Sequence, residues 1–149
     1  MKLHYIINSM QLHDPHMISE PVLVLSGLTY LIPAYMCYEA KKYYYCNSLL
    51  FLTFTTVGFH STRKEYFFIL DIAAILNYII YSSYLTYHLT DKDRFLTYFT
   101  ISYSLITYFG GKKYNVLSFD PDWNLQMFFH SLMHLFTSYA SYKVIKSQD

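Results

Sequence analysis

The sequence predicts an all-α integral membrane protein, a bundle of about five transmembrane helices forming one domain, and three observations lead there. Apolar residues make up 54% of the 149 positions and charged residues 14%, against the roughly 25% charged residues of soluble domains. Apolar stretches of near-spanning length recur five times, each separated by a short polar segment. What lies outside them is too little to build a second core.

The elements follow in order. Glu20 and Pro21 read as a helix start, since Pro is tolerated in the first turn. The first helix is expected over 21–40, with a kink at Pro33, and is closed by Lys41 and Lys42. The second is expected over 43–60 and ends in the polar turn Ser61, Thr62, Arg63, Lys64, Glu65. The third covers 66–89, up to the charged loop Asp91, Lys92, Asp93, Arg94. The fourth and shortest covers 95–109 and stops at Gly110 and Gly111. The fifth, over 121–144, starts with Asp120 as its cap, Pro121 in its first turn and a second acid, Asp122, at the positive end of the dipole. His4, Asn8, Ser9 and Gln11 interrupt the amino end before it forms a signal-peptide core, so the first helix is expected to act as an uncleaved anchor.

Composition excludes several classes. The formal charge is +1 and no run of like charges exceeds two, so nothing resembles the basic stripe that nucleic acid requires. Two cysteines, Cys37 and Cys46, make neither a disulfide framework nor a thiolate metal site. The 18 Tyr and 12 Phe suit interfacial belts; an A/T-rich gene gives the same bias. Counting Lys and Arg on alternate sides gives five against six, so the positive-inside rule assigns no orientation.

Charged or metal-ligating side chains inside spans are expensive and mostly functional. The apolar runs hold His60, Asp71, His88, His130 and His134. Alternating helix direction brings His60, Asp71, His130 and His134 into one half of the bilayer and leaves His88 near the opposite surface. His130 and His134, at i and i+4, share a helix face and can grip one ion. With His60 as third ligand, one tetrahedral position stays open, as in catalytic zinc sites, where the metal lowers the pKa of water to about 7. Asp71 can then accept a proton, and the Thr56 hydroxyl, one turn before His60, can face a developing oxyanion. The alternative is a set of polar residues hydrogen-bonded between helices. Asn77, Ser102, Ser104, Thr107, Thr137, Ser138 and Ser141 read as interhelical packing groups. The amino-terminal His4, His13, Asp14 and His16 read as a solvated tail.

The pattern Thr56-x3-His60, Asp71, His130-x3-His134 resembles the membrane hydrolase superfamily of alkaline ceramidases, adiponectin and progestin receptors, and GPI-lipid remodelling proteins. Those carry Ser-x3-His, Asp and His-x3-His in the same order. The string Gly58-Phe59-His60-Ser61-Thr62 with Asp71 eleven residues past the histidine looks most like the ceramidase branch. The resemblance covers three helices; Thr stands where the family has Ser, and five spans stand for seven. It implies zinc held by His60, His130 and His134, Asp71 as general base, Thr56 as oxyanion donor, and an endomembrane (ER or Golgi) location. Asp14 and Glu20 are too sparse for the calcium-binding amino segment of ceramidases, so calcium is not implied.

The expected function is therefore a zinc-dependent hydrolase of an amide (ceramide-like) or ester bond in a membrane lipid, with the bilayer delivering the substrate. A receptor-like lipid-binding protein with a structural zinc and no turnover is the alternative. A haem or quinone protein fits less well, because paired histidines on one helix suit a small ion.

Overall fold

In the computed structural model, residues 20–87 and 89–147 are described, and they are helical with no strand among them. His4, His13, Asp14, His16 and His88 lie outside the described residues. Helices α1 (Pro21–Leu28) and α2 (Leu31–Glu39) form one rod, followed by α3 (Tyr43–Thr62), α4 (Glu65–Thr86) and α5 (Asp91–Leu105). The path of α5 continues through a π-turn, Ile106–Gly110, into α6 (Gly111–Tyr114). A 3₁₀ turn, Leu117–Phe119, precedes α7 (Trp123–Lys146). Of these, the rod Pro21–Glu39 and helix Glu65–Thr86 are long and apolar enough to cross a membrane.

Local chemistry explains the boundaries and corrects three expectations. The break in the first rod falls at Thr29 and Tyr30 rather than at Pro33. Proline has no N–H to give the carbonyl four residues back; the Thr29 carbonyl instead accepts from the Ser138 hydroxyl of α7 at 2.8 Å and from the Ile32 amide at 3.2 Å. Lys41 and Arg63, with φ of 59° and 53°, turn the chain after α2 and α3. The fourth rod is not short: fifteen residues of α5, five of the π-turn and four of α6 run on without a break. Gly110 and Gly111 do not stop it, and a side chain on Gly111 would come within 2.7 Å of the Val116 carbonyl. The cap of α7 is Asp122, whose carboxylate accepts from the amides of Asn124 (2.8 Å) and Leu125 (3.3 Å), while the Asp120 carboxylate accepts from the Asp122 amide two residues on.

The rods close into a ring. The first packs on α3 and on α7, α3 packs on α4, α4 meets α5, and α5 returns to α7. One half of the ring is filled by Tyr30, Ala34, Tyr45, Leu49, Tyr78 and Val144, with others. Burial is inverted relative to a soluble bundle. Leu25, Ile32, Phe54, Ile80, Phe95 and Phe128 face outward, whereas Thr55, Thr86, Thr97 and Ser141 are fully buried. Inside, Tyr45 and Tyr78 both bond Ser141, at 3.1 and 3.0 Å, and Asn77 donates to Ser48 at 2.9 Å.

A candidate metal centre in a side-opening cavity

The half of the ring not filled by the core is a cavity of about 230 Å³. Five antiparallel rods bring to this end the first turns of α1, α4 and α7 and the last turns of α3 and of the fourth rod. His60 therefore arrives from the end of α3, and His130 and His134 arrive from the second and third turns of α7. Their nearest nitrogens all lie within 4.8 Å of one another. Ring centroids are separated by 5.0 Å (His60 and His130), 5.5 Å (His60 and His134) and 5.1 Å (His130 and His134). The three histidines expected to converge do converge, two of them buried.

Two of the rings are fixed from behind. Glu20 is buried at the start of α1; its Oε2 lies 2.6 Å from His60 Nδ1, its Oε1 lies 3.2 Å from Arg63 Nη1, and its amide donates to the His60 carbonyl at 2.8 Å. A carboxylate accepts, so Nδ1 of His60 carries the proton and Nε2 keeps its lone pair. Ser26 Oγ lies 2.8 Å from His134 Nδ1 and directs its own hydrogen at the Leu23 carbonyl, 3.1 Å away. Ser26 thus accepts from His134 Nδ1–H, again leaving Nε2 as the lone-pair nitrogen. Two imidazoles with their Nδ1 atoms engaged from behind, and His130 brought alongside them, make a nitrogen donor set of the kind that suits a borderline ion such as zinc.

Asp71 is buried in the second turn of α4 and lines the same cavity. Its Oδ1 accepts from Thr55 Oγ1 at 2.9 Å and from Thr56 Oγ1 at 2.8 Å. Thr56 was expected to face an oxyanion; its hydrogen is instead directed at Asp71, and one hydrogen cannot serve both. Gly27 of α1 lets the rods approach here, since a side chain on it would lie 2.9 Å from the Thr56 methyl.

The cavity opens sideways between α4 and α5. Leu76 (57% exposed), Leu105 (42%) and Phe109 (65%) both line it and face outward. Ile72, Ile75 and Ile79 make the α4 wall apolar.

Sequence reasoning found His60, Asp71, His130 and His134 and missed Glu20, Ser26 and Thr55. Glu20 was read as a helix start, although an acid directly before a span was itself a signal. No family model, curated protein or solved structure matches the chain.

Proposed function

We propose that the chain is a five-span membrane protein that uses zinc to hydrolyse an amide or ester bond in a lipid, as the resemblance to alkaline ceramidases suggests. The observation that carries this reading is the juxtaposition of three histidines, two with fixed tautomers, and a buried carboxylate in one cavity that opens through an apolar side wall. The inverted surface supports the membrane setting, because apolar outer faces need lipid and buried hydroxyls pair between helices. So do exposed tyrosines near the rod ends, Tyr38, Tyr43, Tyr44, Tyr84 and Tyr87 at one end and Tyr66 and Tyr114 at the other.

Bound by His60, His130 and His134, zinc supplies Lewis acidity toward the carbonyl and toward water. Glu20 and Ser26 hold two of the ligating rings in place. Thr55 and Thr56 hold Asp71 through one oxygen only, so Oδ2 is left to take the proton of the attacking water. Asp71 then returns that proton to the departing nitrogen or oxygen. Water adds to the carbonyl carbon, the C–N or C–O bond breaks, and the products are a fatty acid and a free amine or alcohol. The opening between α4 and α5 admits the acyl chain from the bilayer.

The test is turnover of a fluorescent long-chain amide in micelles. Asp71→Asn keeps the shape of the side chain and removes the base, and should keep metal and fold while turnover falls by about 10²-fold or more. Turnover equal to that of the parent, with metal intact, would remove Asp71 from proton transfer.

A further inference from the structure

The wall of the cavity formed by α5 differs from the one formed by α4. Thr97, Thr100 and Ser104 recur every three or four residues and therefore share one face of α5. Thr97 uses its hydroxyl in the ordinary way for a buried helix, donating to the Asp93 carbonyl four residues back at 3.0 Å. Thr53 and Thr86 do the same, to Leu49 and Ser82. Thr100 and Ser104 do not. Thr100 is 2% exposed, and neither its Oγ1 nor the buried Oγ of Ser104 has a hydrogen-bond partner among the described residues. Both residues line the histidine cavity.

Buried hydroxyls are nearly always paired, and the exceptions call for an explanation. A helix that has its own carbonyls within reach and leaves two hydroxyls unpaired on a cavity wall presents them to something that enters the cavity. The irregular backbone agrees: just past Ser104 the helix passes into the π-turn Ile106–Gly110, whose Tyr108 also lines the cavity. Single π-turns within helices gather at functional sites. Charge narrows the ligand. The cation lining the cavity, Arg63, is paired with Glu20 at 3.2 Å, so the wall offers hydroxyl donors and acceptors rather than a phosphate clamp.

We propose that Thr100 and Ser104 form a recognition site for a hydroxyl group of a neutral lipid, one carried close to the bond that is cleaved. The acyl chain lies along Ile72, Ile75 and Ile79, and the hydroxyl faces the opposite wall, where each protein hydroxyl can both donate to it and accept from it. The inference rests on the hydrolase reading for its kinetic readout and on the cavity alone for its binding readout.

The experiment compares two fluorescent lipid amides that differ by one hydroxyl beside the amide. The parent should cleave the hydroxylated lipid with kcat/KM about 10-fold higher or more, because a site built around a hydroxyl discriminates against the analogue lacking it. In Thr100→Val, Ser104→Ala the ratio should collapse toward one, and Thr100→Ser should restore much of it in the Ser104 background. The double variant should melt no lower than the parent in the absence of lipid, since it removes unpaired groups; a clear fall in Tm would make the two hydroxyls structural and overturn the proposal. An unchanged ratio also overturns it and leaves the hydrolase reading standing. If neither lipid is cleaved by the metal-loaded parent, the hydrolase reading fails by itself. The proposal is then read from thermal stabilisation by the same two lipids, where loss of the hydroxyl preference in the double variant supports it and persistence of that preference overturns it.

Discussion

Glu20 and Asp71 are both buried carboxylates lining one cavity, yet their partners assign them different roles. Glu20 holds His60 Nδ1 and Arg63, so its negative charge orients the ring that is proposed to bind the metal. Asp71 accepts two threonine hydroxyls at one oxygen, and its other oxygen is the one that the proposed proton transfer uses. Glu20→Gln keeps an acceptor beside His60 but removes the charge, and zinc affinity, read by competition with a chelator dye, should fall by about 10- to 100-fold with the fold retained. Unchanged affinity would reduce Glu20 to a partner of Arg63. At this scale the three histidines were legible because i, i+4 spacing and chain alternation are enough to bring them together. The residues behind them were not. Ser26 is one of many hydroxyls in apolar runs, and only the crossing of α1 with α7 selects it.

At the scale of the helix, the ends were the least legible part. Asp120 reads as the cap of α7, and the use of Asp122 instead depends on a 3₁₀ turn that no composition signal announces. The break of the first rod lies four residues before Pro33, at the carbonyl the proline cannot serve. The fourth rod read as short because Asp91 to Arg94 looked like loop and the two glycines like a stop. In fact Thr90 caps α5 through the Asp93 amide, and Asp93 ties that end to α7, its Oδ2 accepting from Ser147 Oγ at 2.5 Å with Lys143 3.9 Å from Oδ1. The Ser147 hydroxyl, foremost, holds the Asp93 carboxyl below the usual carboxylate range. A carboxylate with a lowered folded pKa adds stability that is present above its unfolded value of about 3.9 and is lost as pH falls through the lower folded value. Asp93→Asn should therefore lower stability by about 1 kcal/mol at neutral pH. The gap in Tm between the two proteins should stay constant from pH 7 to 5 and close only below about pH 4. A gap that closes already near pH 6 would point to a different group.

At the scale of the molecule, five rods were legible from the recurrence of apolar runs, and their alternation correctly put His60, Asp71, His130 and His134 at one end. Closure of the ring was not legible, because loop lengths identify sequential neighbours but not the contact of the first rod with α7 that carries Ser26 to His134 and Ser138 to Thr29. The five crossings proposed above are an odd number, which requires that the chain beside Glu20 and the chain beside Lys146 lie on opposite faces of the membrane. Single cysteines introduced at the two places should react with an impermeant reagent from opposite sides of sealed vesicles; labelling from the same side would mean that one rod does not cross.

His60, His130 and His134 are proposed to hold one zinc ion, and the elemental content of the detergent-purified protein measures it. About one zinc per chain is expected, falling to background in the His130→Ala, His134→Ala double variant. A sub-stoichiometric content that does not fall further in the double variant would contradict it.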